Sequence, residues 1–298
     1  MNKDLLNQIQ NYFKTDKFDI ETIQDRHGRI VLRVKTKDNQ VIVKYFENTD
    51  SAREIDNYKL LINLGVPTIK VFHLSSNMII MEDLAASSDF RMATEDELNS
   101  VEVVKNLAIW LKDLHTKGKK ANKSNLYSEK DLLLDLQNNV LIDNEPIQQK
   151  FKNLITDDIL SSQILLALPN IIDKFDSLAI TLTHNDGGVM QLVVGKDSAL
   201  MLDYDRLGRG YRYIDISNAL SFIPSSLHNE FLLAYGKTDW EDEKAFHSLF
   251  GSLVAIITAI EEHKENKAWA QSTLQYIKSD SFKSKLKSYQ PQLIKEKR

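Results

Sequence analysis

The sequence predicts an α+β fold, a small antiparallel sheet at the N-terminal side followed by a larger, mostly helical part. Three observations carry this. Between residues 18 and 46 apolar side chains recur at strand-like spacing, with runs at 30–34 and 41–46 flanking a turn at Lys37-Asp38-Asn39. From residue 94 onward most of the chain repeats its apolar residues at helical spacing. Residues 182–215 interrupt that pattern with two short apolar runs joined by a tight turn.

Leu5, Leu6, Ile9, Tyr12 and Phe13 lie on one stripe, so a short amphipathic helix opens the chain. The two strands follow, with a polar hairpin tip at residues 24–29. Thr49-Asp50-Ser51 offers a helix N-cap, and Gly65 and Pro67 end that helix near Leu64. Residues 69–72 and 78–81 read as two more strands. Thr94-Glu95-Asp96-Glu97 is a capping-box pattern, and it predicts a long helix over 94–116. Helices are expected over 131–141, 147–154 and 157–175, the last interrupted at Pro169, and then a strand over 180–182. Beyond Asp215 helices are expected over 225–235, 241–262 and 267–289, with the apolar stretch 252–257 in the core.

The 298 residues suffice for two lobes, with the expected boundary between 1–84 and 85–298. There is no cysteine, which excludes disulfides, thiolate catalysis and thiolate zinc sites and fits a cytoplasmic protein. A net charge of −4 gives no strong field for nucleic acid or an anionic membrane, so neither is expected as a partner. The first fifteen residues are polar and mixed in charge, unlike a signal peptide. No uninterrupted apolar run approaches the roughly 20 residues of a membrane helix.

The chemistry concentrates in residues 182–215. A polar loop, His184-Asn185-Asp186-Gly187-Gly188, precedes Leu192-Val193-Val194; a turn at Gly195-Lys196-Asp197 folds the chain back through Ala199-Leu200-Met201-Leu202 to Asp203. The hairpin should bring Asp186 and Asp203 near each other. Two neighbouring carboxylates repel unless a cation lies between them, and with an amide or water completing the oxygen shell that is a Mg²⁺ site. Each acid taken alone reads as an ordinary turn residue, and it is their joint spacing that argues for the site. Lys44, inside an otherwise apolar strand, either faces solvent at period two or is buried and paired, with Glu54 on the following helix as its natural partner.

The stretch resembles the catalytic segment of the aminoglycoside phosphotransferase and choline kinase superfamily, small-molecule relatives of the protein kinases. That family carries His-x-Asp-x-x-x-x-Asn, a hairpin, and an Asp followed by an apolar or aromatic residue. His184-Asn185-Asp186 matches the first part; Asp203-Tyr204-Asp205, Gly208-x-Gly210 and Tyr213-Ile214-Asp215 match the second. Gln191 stands where the family has its metal-binding Asn, and Gly187-Gly188-Val189-Met190 departs from the usual Leu-His-Pro-Gly. The resemblance implies a protein-kinase-like two-lobed fold that uses ATP or GTP with Mg²⁺ and a small hydroxylated acceptor such as an aminoglycoside, choline, a sugar or an amino alcohol. It implies Lys44 on the nucleotide phosphates, paired with Glu54, and main-chain reading of adenine along Met81, Glu82 and Leu84. It also implies Asp203 and Gln191 on metal, Asp186 orienting the acceptor hydroxyl, His184 supporting the catalytic loop and His115 bracing it. Acids at Asp239, Glu241, Asp242, Glu243, Glu261 and Glu262 are candidates for a cationic acceptor. Gln191 and the single glycine of His27-Gly28-Arg29 motivate a second reading, a nucleotide-binding pseudokinase acting through a partner.

Overall fold

The computed structural model describes residues 3–48, 52–121, 126–236 and 240–291. Two compact units are interleaved along the chain: Met1–Ala121, Asp186–Leu207 and Asn218–Lys237 form one, and Asn122–Asn185, Gly208–Ser217 and Thr238–Arg298 the other.

In the first unit α1 (Lys3–Phe13) precedes β1 (Asp19–Arg26), β2 (Arg29–Lys35), β3 (Gln40–Phe46), α2 (Arg53–Leu64), β4 (Val71–Leu74) and β5 (Met78–Glu82). The strands form one antiparallel sheet in the order β1-β2-β3-β5-β4. Its α1 face is built by alternation: Ile30, Leu32 and Val34 on β2 and Val41, Val43 and Tyr45 on β3 bury against Leu5 and Ile9. The alternate positions therefore share the opposite face, and the register sets Arg29 beside Phe46, Val31 beside Lys44 and Arg33 beside Ile42. The expected cap at Thr49-Asp50-Ser51 lies outside the described residues. The far end of α2 is as read: Gly65 takes the left-handed conformation that closes it.

Thr94 forms its capping box, but on a 3-10 turn over Glu95–Asn99. The long helix α3 (Val101–Gly118) starts afterwards, capped by the side chain of Ser100. The helix predicted over 94–116 is thus two elements, because Ser100 adopts an extended backbone and caps the second. The hairpin of β10 (Leu192–Gly195) and β11 (Ala199–Met201) forms as expected. It gains a third strand, β6 (Phe90–Met92), which its own three residues do not announce. In the same unit α8 (His228–Tyr235) packs on α3, and His115 lies 2.7 Å through Nδ1 from the Tyr235 hydroxyl. His115 is buried, as a structural role requires.

The second unit is helical around α4 (Glu129–Asn138), α5 (Ile147–Ile155), α6 (Asp158–Ser177), α9 (Glu241–Glu261), α10 (Ala268–Lys278) and α11 (Asp280–Leu286), and α7 (Tyr213–Phe222) begins in it. Two corrections apply. Pro169 lies inside α6 without interrupting it; the neighbouring Ala167, Leu168, Ile171 and Ile172 are buried in the core, whose packing outweighs one lost backbone bond. The helix expected over 267–289 is broken at Ser279, which caps α11. By length and mean composition alone α9 could cross a membrane, although it holds no continuous apolar run of that length. More than half of that window (56%) is nevertheless buried within the chain's own core. β9 (Ile180–Thr183) pairs with β12 (Gly208–Tyr211), a partner not foreseen. Gly208 is required there: a Cβ would stand 2.0 Å from the Tyr127 carbonyl oxygen.

His247 on α9 contacts the Tyr211 hydroxyl at 2.8 Å. Burial pushes its pKa down to about 4. Above the unfolded value of about 6.5 the ring is neutral in both states and contributes no pH dependence. Between there and about 4 only the unfolded chain takes the proton, so stability falls as pH falls. Because the side chain keeps some solvent contact, the loss is about 2 kcal/mol. Denaturant midpoints at pH 7 and pH 4.5 should therefore converge in His247→Gln by that amount relative to wild type. An unchanged pH dependence would remove His247 as its source.

Candidate active site

The sheet face opposite α1 carries the charged cluster. Lys44 reaches this face because it alternates along β3 with Val41, Val43 and Tyr45, which face α1, and Glu54 comes from the buried side of α2, which also buries Ile55, Asn57 and Tyr58. The Lys44 ammonium donates to both Glu54 oxygens, at 2.7 and 2.6 Å, and to Asp203 Oδ1 at 3.2 Å. The face that could have pointed to solvent is covered by α2, which decides between the two readings of Lys44. Burial works against its charge, but the charges of Glu54 and then Asp203 outweigh burial and hold the Lys44 pKa above its ordinary value.

Asp203 stands at the end of the hairpin with a left-handed backbone (φ 61°). Its position is held by its neighbour. Tyr204 is fully buried, stacks near Trp110 and meets Tyr58 edge-on. The Tyr204 hydroxyl donates to the Met201 carbonyl at 2.5 Å, and Asn57 Nδ2 donates to the Tyr204 carbonyl at 2.7 Å. The buried ring anchors the turn to α2 and α3 while Asp203 projects outward, about one third exposed (38%).

The two arginines beside Asp205, Arg29 and Arg53, were not foreseen as site residues. Arg29 Nη2 lies 3.2 Å from Asp205, and Arg53 donates to both Asp205 oxygens at 3.0 and 3.3 Å. Burial raises the Asp205 pKa, but the hydrogen bond from Arg53 and the charges of Arg53 and Arg29 hold it below the usual range. Burial likewise works against the Arg29 charge, and Asp205, Glu54 and Asp203 hold its pKa above the usual value. The available signal was period two: Arg29 and Arg33 fall on the Lys44 face.

Met81 is buried at the end of β5 opposite Ile42, and Leu84 follows half-buried. Glu82 accepts from the Ser87 hydroxyl at 2.6 Å. Asp83, not singled out from sequence, anchors this segment: its carboxylate takes Arg33 Nε at 2.6 Å, Gln40 Nε2 at 2.7 Å and the Ala85 amide at 3.0 Å. Burial alone would raise the Asp83 pKa; those bonds bring it below the usual value.

Asp186 is half-buried and begins the segment that leads through a 3-10 turn (Val189–Gln191) into the hairpin. Gln191 sits one step outside the last hairpin pair, and its carbonyl accepts from Leu202 at 2.8 Å, which sets it across from the approach to Asp203. Its amide oxygen folds back over Gly188, 2.9 Å from where a Cβ would be.

In the second unit His184 is buried. The Asp215 carboxylate clamps the loop there, accepting from the His184 amide at 2.7 Å and the Asn185 amide at 2.9 Å. The Tyr213-Ile214-Asp215 match marked this acid without giving it a role. Glu243 is withdrawn as an acceptor candidate, because it is buried and takes both Arg212, at 2.9 Å from Nε, and the Tyr213 amide, at 3.0 Å. Asp239 lies outside the described residues.

Among the described residues no group of three or more His, Asp or Glu side chains is disposed to hold a metal. Asp203 supplies a hard oxygen donor, and both Lys44 and Arg29 approach it at Oδ1. Such a donor fits Mg²⁺, which binds through one or two carboxylates with phosphate and water completing the shell.

The chain resembles choline kinase LicA from Streptococcus pneumoniae over 96% of its own length and 99% of the other, with TM-score 0.61 and 13% identity. It resembles spectinomycin phosphotransferase APH(9)-Ia, in complex with ADP and spectinomycin, over 95% and 94% of the two chains, with TM-score 0.55 and 14% identity. APH(2″)-IIia, in complex with GDP and kanamycin, is similar over 95% and 99%, with TM-score 0.58 and 10% identity. These likenesses give the fold as the protein-kinase-like α+β class. No curated protein matches the chain. Residues 19–246 match the model of the phosphotransferase enzyme family, and the chain belongs to that family.

Proposed function

We propose that this protein transfers the terminal phosphoryl group of ATP or GTP to a hydroxyl of a small molecule. The observation that carries the reading is the continuous charge line Glu54–Lys44–Asp203, which joins α2, β3 and the hairpin within one compact unit. In this reading residues 1–84 hold the nucleotide and 85–298 carry catalysis and the acceptor. Lys44, fixed by Glu54, holds phosphate oxygens, and the main chain at Met81, Glu82 and Leu84 reads the base. Asp203, with the Gln191 amide oxygen, would hold Mg²⁺, which supplies neutralisation of phosphate charge. Asp186 accepts a hydrogen bond from the acceptor hydroxyl, orients it and takes its proton late. An oxygen–phosphorus bond forms to the acceptor as the bond to the bridging oxygen breaks, and the nucleoside diphosphate leaves. His184, buried and held through its amide by Asp215, supports the loop without touching substrate. The adenine and guanine nucleotides of the structural relatives support a nucleoside triphosphate donor, and their aminoglycoside and spectinomycin ligands support a small acceptor. Cytoplasmic location and the absence of nucleic-acid and membrane partners belong to the same reading.

The position of Gln191 favours a second reading. With its amide oxygen over Gly188, metal binding would need that side chain to turn, and a protein in which it does not would bind nucleotide without transferring phosphate. Turnover with Mg²⁺ and either nucleotide across choline, ethanolamine, aminoglycosides and sugars separates the two. Acceptor-dependent diphosphate release, reduced about 10²–10⁴-fold in Asp186→Asn, is the expected result. Tight nucleotide binding with no acceptor-dependent release would instead establish the pseudokinase.

A further inference from the structure

The β1–β2 connection leaves little backbone to wrap phosphates. His27 and Gly28 form a two-residue turn, both with positive φ (52° and 69°), and the Gly28 carbonyl is taken by the Glu47 amide at 2.8 Å. The charge of a triphosphate must then be met by side chains. The residue that leaves this turn is Arg29, and strand register puts it on the Lys44 face. Its guanidinium lies 5.8 Å over the Phe46 ring, which limits its swing. From there it reaches Asp205 at 3.2 Å and stands 4.0 Å from Asp203 Oδ1, the oxygen that Lys44 approaches at 3.2 Å. Two cations thus converge on one carboxylate oxygen from the sheet.

The geometry of the pairs shows which of the cations is freest to move. Lys44 is matched by Glu54, while Asp205 alone receives two guanidiniums, Arg29 and Arg53. Arg53 binds it in a fork through Nε and Nη2, the stronger geometry. Arg29 reaches Asp205 through Nη2 at 3.2 Å and can exchange that contact for a phosphate oxygen without leaving the acid unpaired.

Resting on the phosphotransferase reading above, we propose that Arg29 is a phosphate-binding residue of the nucleotide site, performing through a side chain what a longer glycine-rich turn would do through amides. Asp205 keeps it within reach before nucleotide arrives. Arg53 stays on Asp205 throughout.

Calorimetric titration of the full chain with adenosine, ADP and a non-hydrolysable ATP analogue, and with the corresponding guanosine series, each with Mg²⁺, tests this on wild type, Arg29→Gln and Arg29→Lys. In the series that binds, Arg29→Gln is expected to weaken the triphosphate analogue about 10–100-fold, the range for a charge-assisted hydrogen bond, with binding of the nucleoside unchanged. Arg29→Lys should recover part of the loss. Melting temperature and circular dichroism report the fold of each variant. Triphosphate binding equal to wild type in Arg29→Gln overturns the proposal. So does an equal loss of nucleoside and triphosphate, which marks a structural residue. A folded wild-type chain that binds no guanine or adenine nucleotide at all overturns the phosphotransferase reading, and Arg29's role with it.

Discussion

Asp203→Asn is expected to lower phosphate transfer about a thousandfold while leaving the fold intact. The left-handed backbone at this position (φ 61°) is one that asparagine tolerates, so the substitution removes charge with little added strain. Tyr204 keeps its buried contacts and its bonds to Met201 and Asn57, and the turn stays in place. What disappears is the anionic oxygen pair that would hold Mg²⁺ against the phosphates. Metal stabilisation of transferring phosphate is worth several kcal/mol, and about 4 kcal/mol corresponds to a thousandfold. Steady-state transfer across a Mg²⁺ series reads the effect, with melting temperature as the control for folding. Activity within tenfold of wild type would show that the metal is held elsewhere. Alanine is the poorer test, because it would be strained at positive φ.

Lys44→Met should cost stability as well as nucleotide binding, by about 3–5 kcal/mol at neutral pH. Glu54 is fully buried and takes two bonds from the ammonium; without it, a carboxylate is left without its cation inside the protein. The pH dependence carries the signature. Burial already favours the neutral form of Glu54, and Lys44 opposes it. Removing Lys44 raises the folded-state pKa further above the unfolded value, so the penalty is absent at low pH and grows as pH rises through the raised value. The stability gap between variant and wild type should therefore narrow toward acid pH in denaturant titrations. Lys44→Met combined with Glu54→Leu should recover most of the loss, since an apolar pair fills the same space without an unmatched charge. A single variant as stable as wild type at every pH would mean that water solvates Glu54.

Much of the site was legible in local sequence. The hairpin followed from two apolar runs around Gly195-Lys196-Asp197, and the end of α2 from Gly65, because turn and cap chemistry acts over a few residues. A cation in an apolar strand ten residues before an acid in a helix left two readings of Lys44 open, and only the family resemblance favoured its pairing with Glu54. Other features were misread because a local signal competes with a later contact. Thr94 carried a capping box, yet Ser100 started the long helix, and Pro169 sat in a helix that the surrounding core kept whole.

From the sequence alone came the class of fold, the alternation that divides the small sheet into two faces, and the chemical types that stand near the hairpin. Tertiary structure alone decided that α2 covers the Lys44 face, that Asp205 gathers Arg29 and Arg53, that Asp83 holds Arg33, and that Asp215 clamps the His184 loop. These partners of Asp205, Asp83 and Asp215 lie 30 to 176 positions from them in the chain. Spacing rules reach across a turn of helix or a strand pair, whereas the choice among many acids for one arginine depends on which backbone segments the packed core brings within bonding distance.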